Sequence, residues 1–256
     1  MTATDRTIVV GRDPDVLAAA VAARLLTRLV DCQAVRGHAS VVLTGGGVGI
    51  AALAAVRRSA ALAAVDWGRV DLWWGDERFV AADDPERNEG QARSALLDEL
   101  DLDPARVHPM GALGGIDGDE VDAAADRYAD ELRAAAPPDY QVPPFDVLLL
   151  GMGPDGHTAS IFPESPAAYD ERLVIGVHGC PKPPPNRVSL GFSALCAARE
   201  VWMIVAGADK APMVAMALSG AGRVQVPAAG VAGTAQTLWL LDEAAATALP
   251  RDLRRR

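Results

Sequence analysis

Residues 145–163, FDVLLLGMGPDGHTASIFP, constrain the fold of this chain more than any other stretch. Residues 147–150 form a continuously apolar run of strand length, which is typical of a strand buried on both faces of a parallel sheet. A glycine-rich loop follows at once and carries Asp155 and His157. Because ligands in open α/β sheets bind beyond the carboxyl ends of the strands, this loop is predicted to lie at a functional site.

The glycines of this loop do not indicate a dinucleotide cofactor. Residues 151–156 fit the pattern G-x-G-x-x-G, but that fingerprint opens a long helix followed by a strand that ends in an acidic residue. Pro163 limits a helix begun here to about two turns, and the next apolar run, residues 173–177, ends in His178. We therefore expect no nicotinamide or flavin site.

Apolar segments and helical patterns alternate along the chain as in βα units. The predicted strands cover residues 7–10, 41–43, 70–74, 147–150, 173–177, 187–190, 200–206 and 237–241, with a shorter one near 107–108. The predicted helices cover residues 14–30, 50–65, 88–100, 120–136 and 211–218, with a short one capped by Asp242. This order predicts an α/β fold with a mostly parallel central sheet flanked by helices, in a single domain over residues 1–256.

Composition argues against several classes of protein. No apolar run approaches the roughly 18–20 residues of a membrane helix, and a formal charge of −10 argues against nucleic acid or an anionic membrane as partner. The amino-terminal residues show no secretion signal. The three cysteines, Cys32, Cys180 and Cys196, match no zinc or redox spacing. We expect a soluble, cytoplasmic protein.

Four of the predicted strands end in chemically informative residues. These are Thr44-Gly45-Gly46, Asp76-Glu77-Arg78, the 151–157 loop and Lys210. In a parallel sheet all four gather at one edge, where glycines before a helix favour a bound anion. Lys210, one of the two lysines in the chain with Lys182, falls in the first turn of a predicted helix. The helix dipole disfavours a cation there by about 0.3–1 kcal/mol unless an anion is bound alongside.

The motifs of two common hydrolase classes are missing. No G-x-S-x-G elbow of a serine hydrolase is present, and the four histidines show no metal-ligand spacing, so no metal is expected. What remains is His157, since histidine can accept a proton from water near neutral pH.

Several segments, taken in order, resemble the 6-phosphogluconolactonase family. They are residues 74–78 (WGDER), Asn88, residues 150–163 (LGMGPDGHTASIFP), residues 184–190 (PPNRVSL) and residues 207–210 (GADK). The resemblance covers about residues 45–240. It implies the Rossmann-like fold of the glucosamine-6-phosphate deaminases and ribose-5-phosphate isomerases (NagB/RpiA-like). It also implies hydrolysis of 6-phosphoglucono-1,5-lactone to 6-phosphogluconate in the oxidative pentose phosphate pathway, without metal or cofactor.

The chain departs from the family pattern at three places. The first glycine loop, usually S-G-G-S-T-P, reads TGGGVG here, so Thr44 alone keeps a hydroxyl in it. Arg87 replaces the serine before Asn88, where two interpretations stay open: an added cation for the substrate or, the one favoured, an exposed and solvated side chain. Glu164 replaces the glycine of F-P-G. We expect weaker or redistributed substrate contacts rather than lost function.

The resemblance implies a role for each candidate residue. His157 acts as general base toward a water that attacks C1 of the lactone, with Asp155 or Glu77 orienting the imidazole. Backbone N–H groups at Gly45 and Gly46 stabilise the oxyanion, whereas Arg78, Arg187 and Lys210 are candidates for the phosphate. The other predicted substrate-binding residues are Thr44, Asp76, Asn88, Gly153 and Gly156.

Two alternatives stay open. A deaminase-like aldose-ketose isomerase would move a proton between C2 and C1 with Asp76 or Glu77, although the deaminases follow this loop with a Phe-Asn-Glu sequence that is absent here. A non-catalytic sugar-phosphate sensor would not need His157. In each case the partner is a small phosphosugar, and we expect a monomer or small homo-oligomer.

Overall fold

The computed structural model describes residues 6–250 and 253. Residues 1–5, part of the segment in which no secretion signal is expected, lie outside the described residues. The strands are β1 (Arg6–Gly11), β2 (Ala39–Leu43), β3 (Val70–Trp74), β4 (Asp76–Arg78), β5 (Val147–Leu150), β6 (Val174–Val177), β7 (Arg187–Leu190), β8 (Glu200–Val205) and β9 (Gln236–Asp242). The α-helices are α1 (Pro14–Arg36), α2 (Gly47–Arg57), α3 (Asn88–Ala95), α4 (Val121–Ala135), α5 (Phe192–Leu195) and α6 (Ala211–Leu218).

Six parallel strands form the central sheet, in the order β1-β9-β8-β5-β2-β3. Every residue of β2 and β5 is buried, as expected for strands covered on both faces. The predicted α/β fold with a mostly parallel sheet is therefore confirmed. Because β5 lies between β2 and β8, the loops that follow these three strands leave the sheet side by side.

Helix α1 shows how the sequence defines an element that covers this sheet. Its start is fixed by Asp13, whose Oδ1 accepts from the N–H of Val16 at 2.8 Å, and by Pro14 at the first helical position. It ends at Gly37, which has a φ of 79°. The helix is longer than predicted because its buried face continues past residue 30 to Cys32.

A second sheet carries part of the site. Strands β4, β7 and β6 form it in that order, all antiparallel. The sequence predicts residues 76–78 at the end of the strand 70–74, without a strand of their own. Instead, the chain changes sheets at Gly75, whose N–H donates to Leu43 of the central sheet at 3.0 Å and whose carbonyl accepts from Leu190 of β7 at 2.9 Å.

Other predicted elements differ in extent. Residue 107 makes an isolated bridge to Leu72 rather than a strand, and residues 243–248 form turns rather than a helix. Helix α2 begins directly at the glycine loop and ends at Arg57, and α3 ends at Ala95. Lys210 lies in a 3-10 turn just before α6 instead of in its first turn. None of the described helices combines the length and apolarity needed to cross a bilayer.

Candidate active site

A cavity of about 520 Å³ lies where the strand ends converge. Of the predicted site residues, it is lined by Thr44, Gly45, Gly46, Asp76, Arg78, Asn88, Gly153, His157, Arg187 and Lys210. The parallel strands β2, β5 and β8 bring the glycine loop, the 151–157 loop and Lys210 to this cavity, as predicted, whereas Asp76, Arg78 and Arg187 reach it from the second sheet. Glu77, Asp155 and Gly156 are not part of its lining.

The imidazole of His157 is held from one side by a carboxylate. Its Nδ1 lies 2.5 Å from Oδ1 of Asp155, and its ring stacks on Phe162 with 4.4 Å between the centroids. The side chain is 19% exposed, so it is reachable from the cavity. Since Asp155 takes Nδ1, Nε2 is the nitrogen available to accept a proton from a molecule in the cavity.

Asp155 remains ionised over the working range of pH. Partial burial acts to raise the pKa of this carboxyl, but the hydrogen bonds and charge of His157, with a further hydrogen bond from Lys182, lower the pKa well below its ordinary value. An ionised Asp155 accepts the Nδ1 proton and fixes the tautomer of the ring. The contact predicted between Asp155 and His157 is present, and the catalytic role of the pair stays a prediction.

Two glycines shape the turn that carries His157. The N–H of Gly153 donates to the carbonyl of His157 at 3.0 Å, and Gly156 donates to Gly153 at 3.0 Å. Gly156 has a φ of +87°, a conformation that favours glycine. A Cβ at Gly153 would lie 2.1 Å from Cε1 of His157. Both glycines therefore help to position the imidazole. Gly156, which is predicted to bind substrate, is not among the residues that line the cavity.

Asp76 and Asn88 form a polar pair at the buried side of the cavity. Oδ2 of Asp76 accepts from Ser160 Oγ at 2.7 Å, and Nδ2 of Asn88 donates to the Asp76 carbonyl at 2.8 Å. Oδ1 of Asn88 is buried and has no hydrogen-bond partner among the described residues. This oxygen lies so close to Gly45 that a Cβ added at Gly45 would be 1.9 Å from it. Asn88 thus offers an unused acceptor beside the glycine loop.

Glu77 has a different role from the one predicted. It is fully buried; its Oε1 accepts from the N–H groups of Arg78 and Asn88 at 2.8 and 2.7 Å, and its Oε2 accepts from Glu89 at 2.9 Å. Burial raises the pKa of Glu77, while Arg87 and these three N–H groups oppose the rise. The prediction that Glu77 orients the imidazole is wrong, because Glu77 instead ties β4 to the start of α3.

Arg87 likewise differs from its prediction. It was expected to be exposed, but only 1% of the residue is accessible. Its Nη1 and Nη2 donate to the carbonyls of Gly111 and Met110 at 3.2 and 2.9 Å, and Nη2 lies 3.7 Å from Glu77. Arg87 therefore stabilises the main chain at residues 110 and 111, and its buried charge is not available to a substrate.

Replacing Glu77 with glutamine is expected to reduce the free energy of unfolding by about 2 kcal/mol, because the amide nitrogen leaves one buried backbone N–H without an acceptor. Urea denaturation at pH 7 measures this change. Glu99→Gln is the matched control: its ion pair with Arg57 is about half exposed on both sides, so we expect a change within about 0.5 kcal/mol. Equal stability of both variants would contradict the structural role of Glu77.

The predicted phosphate cations are partly engaged by backbone carbonyls. Arg187 donates to Pro184 at 2.8 Å, to Pro183 at 2.9 Å and to Lys182 at 3.2 Å. Burial lowers the pKa of Arg187, which nonetheless stays charged, as arginine does in proteins. Arg78 pairs with Arg187 across strands β4 and β7. Its Nη1 donates to the backbone carbonyl of Glu86 at 2.5 Å. The buried Nε of Arg78 has no partner among the described residues.

Lys210 and the glycine loop provide a second set of donors. Nζ of Lys210 lies 3.0 Å from the carbonyl of Ala206 and 3.3 Å from the Asp209 carboxylate. Helix α2 begins at Gly47 after Gly46, which caps it without any side-chain hydrogen bond. The free N–H groups of its first turn, at residues that line the cavity, favour a bound anion.

Lys182 is a cavity residue that the sequence reasoning missed. Its Nζ lies 3.1 Å from Oδ2 of Asp155 and 3.3 Å from Nδ1 of His157. The available signal was the rarity of lysine: the chain has two, Lys182 and Lys210, and both line the cavity. Within residues 6–250 and 253, no group of three or more His, Cys, Asp or Glu side chains is arranged to hold a metal ion.

Comparison with known proteins assigns the family. The model of the glucosamine-6-phosphate isomerases/6-phosphogluconolactonase family matches residues 12–239. The chain belongs to this family. The resemblance found in the sequence is thereby confirmed.

Members of the family cover nearly the whole chain. A 6-phosphogluconolactonase of Streptomyces coelicolor is 61% identical over 249 residues, which are 96% of this chain and 95% of that protein. The solved 6-phosphogluconolactonase of Trypanosoma brucei is 28% identical, with a TM-score of 0.84 over 97% of this chain and all of that one. A monomeric glucosamine-6-phosphate deaminase, 16% identical with a TM-score of 0.77 over 94% of this chain and 99% of that one, shares the fold alone.

Proposed function

We propose that this protein is a 6-phosphogluconolactonase, which hydrolyses 6-phosphoglucono-1,5-lactone to 6-phosphogluconate. The observation that carries the proposal is the Asp155–His157 pair at a cavity lined by Arg78, Arg187 and Lys210. A base and several cations are what hydrolysis of a phosphorylated ester requires. The identity of 61% to a 6-phosphogluconolactonase supports the same reaction.

His157 acts as the general base of this reaction. Its Nε2 takes a proton from the water whose oxygen attacks C1 of the lactone, and the carbonyl becomes a tetrahedral oxyanion. When the bond from C1 to the ring oxygen breaks, the imidazolium returns the proton to that oxygen, leaving a carboxylic acid that ionises. Such proton transfer contributes about 10² to 10⁴ in rate. Asp155 stabilises the imidazolium without taking its proton.

The two groups of donors bind opposite ends of the substrate. The N–H groups at the start of α2 and the ammonium of Lys210 hold the phosphate, since a helix start and a lysine both favour a phosphate group. Arg78 and Arg187, which also line the cavity, stabilise the oxyanion that develops at C1. This division reverses the one expected from the sequence, in which Gly45 and Gly46 hold the oxyanion and Arg78 and Arg187 hold the phosphate. Asn88, which lines the same cavity, contacts the sugar.

A deaminase-like isomerase is the alternative that shares the substrate class. It is supported by Asp76, a carboxylate at the cavity, and by the fold shared with a glucosamine-6-phosphate deaminase. Both oxygens of Asp76 are within hydrogen-bond distance of a partner, Ser160 at 2.7 Å and Asn88 at 3.4 Å. This arrangement favours a supporting role over proton transfer.

An assay with both substrates tests the proposal. 6-Phosphogluconolactone is generated in place and acid release is followed above the spontaneous rate, while ammonia release from glucosamine 6-phosphate is measured in parallel. We expect turnover of the lactone and none of the amino sugar. Ammonia release would support the isomerase. Binding of the lactone without turnover would support a sensor.

The remaining expectations from the sequence stay predictions. They are a cytoplasmic location, a single domain over residues 1–256, a small phosphosugar rather than nucleic acid as partner, and a monomer or small homo-oligomer.

A further inference from the structure

We propose that Lys182 is a positioning residue for the proposed general base: its ammonium holds the free oxygen of Asp155 and places a positive charge beside the imidazole of His157. The proposal deepens the proposed lactonase function and rests on it. Lys182 forms no part of the mechanism described so far. Its role follows from its contacts and from the way its loop is held.

The two oxygens of Asp155 have different partners. Oδ1 lies 2.5 Å from Nδ1 of His157 and Oδ2 lies 3.1 Å from Nζ of Lys182. A carboxylate bonded at both oxygens cannot rotate freely, so the direction from which it meets the imidazole is fixed. The ammonium also lies 5.8 Å from the centre of the Phe162 ring, on which the imidazole stacks. The side chains of Asp155, Lys182 and Phe162 therefore surround the imidazole of His157 and contact one another or the ring.

The backbone that carries Lys182 is held by a buried arginine. Nη2 of Arg187 donates to the carbonyls of Lys182 and Pro183, and its Nε donates to Pro184. The N–H of Cys180 donates to Pro185 at 2.8 Å and closes the same loop. Because these bonds restrain the main chain, little conformational entropy of the loop is lost when the ammonium stays beside Asp155.

The charge of Lys182 acts directly on the ring. Its Nζ is 3.3 Å from Nδ1 of His157. The other charged side chains that line the cavity with His157 are Asp15, Asp76, Arg78, Arg187 and Lys210. None of these is hydrogen-bonded to the imidazole among the described residues, whereas Asp155 and Lys182 both contact it. The carboxylate of Asp155 attracts a positive charge on the ring, and the ammonium of Lys182 repels it.

Removing the cation is expected to change the pH dependence of the reaction. In Lys182→Met, loss of the positive charge makes protonation of the ring easier, so the acidic limb of the kcat/KM profile moves to higher pH. A unit charge at this distance in a water-like dielectric corresponds to a shift of about 1 pH unit. On the acid side of the profile kcat/KM falls about tenfold, whereas above the limb the loss is smaller.

Two variants separate this role from a general effect of charge. Lys182→Arg keeps the charge and is expected to retain the wild-type limb within about 0.3 pH unit. Lys210→Met removes the other lysine of the cavity and is expected to raise KM without moving the limb. An equal shift in Lys182→Met and Lys210→Met would overturn the proposal, as would a Lys182→Met variant that changes KM alone.

A second measurement does not depend on turnover. The Cε1–H resonance of His157, assigned by its loss in His157→Ala, is titrated by NMR in the substrate-free wild-type and Lys182→Met proteins. We expect its midpoint to move to higher pH in the variant. Identical titrations would overturn the role of Lys182 even if the lactone is hydrolysed. A shifted titration in a protein without lactone turnover would refute the proposed function and leave the contact role standing.

Discussion

The variant His157→Ala is expected to lose at least about a hundredfold in kcat on 6-phosphogluconolactone, with KM largely unchanged. The imidazole supplies the proton acceptor of the reaction, while the glycine loop and the cations that bind the substrate keep their places around the cavity. Steady-state kinetics at neutral pH, corrected for spontaneous hydrolysis, measure the effect. The predicted loss is therefore in the chemical step and not in binding.

The matched control for this variant is His178→Ala. The side chain of His178 is 60% exposed and pairs with Asp122 on the surface, and it does not line the cavity. We expect kcat and KM within about twofold of wild type, since surface substitutions away from a site have small effects. A fully active His157→Ala protein would refute the assignment of the general base.

The variant Gly153→Ala is expected to lower kcat by about a hundredfold as well, although no reacting group is removed. The added Cβ would lie 2.1 Å from Cε1 and 2.2 Å from Nδ1 of His157, and 2.6 Å from Oδ1 of Asp155. The φ of Gly153 does not lie in the left-handed region, so alanine is compatible with the backbone. The imidazole must move, and a displacement of about 1 Å can cost about 10² in rate.

Gly90→Ala provides the control for adding a methyl group. Gly90 lies inside α3, and a Cβ there meets no atom within 4 Å. Kinetics of both variants, with thermal unfolding to check the fold, are expected to show activity lost in Gly153→Ala and kept in Gly90→Ala. If Gly153→Ala is folded and fully active, the packed geometry of the His157 turn is not required for turnover.

The central part of this site is predictable from local sequence patterns. An apolar run followed by glycines and His157 indicates a buried strand with a functional loop, and the parallel sheet then brings Lys210 and the glycine loop to the same edge. These inferences need only the sequence periodicity and the rule that parallel strands end on one side of a sheet. The fold does not identify the reaction, because a glucosamine-6-phosphate deaminase has the same fold. The expected reaction comes from the family motifs instead.

The error at Glu77 arose from an unrecognised strand. The sequence predicts Asp76, Glu77 and Arg78 at the end of the third strand but does not predict a further strand there, so it gives no reason to separate the directions of the three side chains. In β4 successive side chains point to opposite faces, so Asp76 and Arg78 line the cavity and Glu77 points into the protein. The strand is three residues long, and its pairing with β7 joins segments far apart in the chain. Local periodicity therefore gives no signal for it.

Lys182 was missed for a related reason. It lies in a proline-rich loop without helical or strand periodicity. Hydrogen bonds from Arg187 to the carbonyls of residues 182–184 hold that loop, and the distance from Lys182 to Asp155 depends on them. Contacts made through backbone carbonyls leave little trace in residue types, so sequence reasoning does not find them.

The placement of the two lysines has a practical consequence for handling the protein. Both line the cavity, and every other side-chain cation apart from the histidines is an arginine. Reagents that acylate amines, such as those used to attach dyes or to couple proteins to sensor surfaces, can react with lysine only at the mouth of the cavity. A protein coupled through its lysines therefore carries the label beside the residues proposed to bind the substrate.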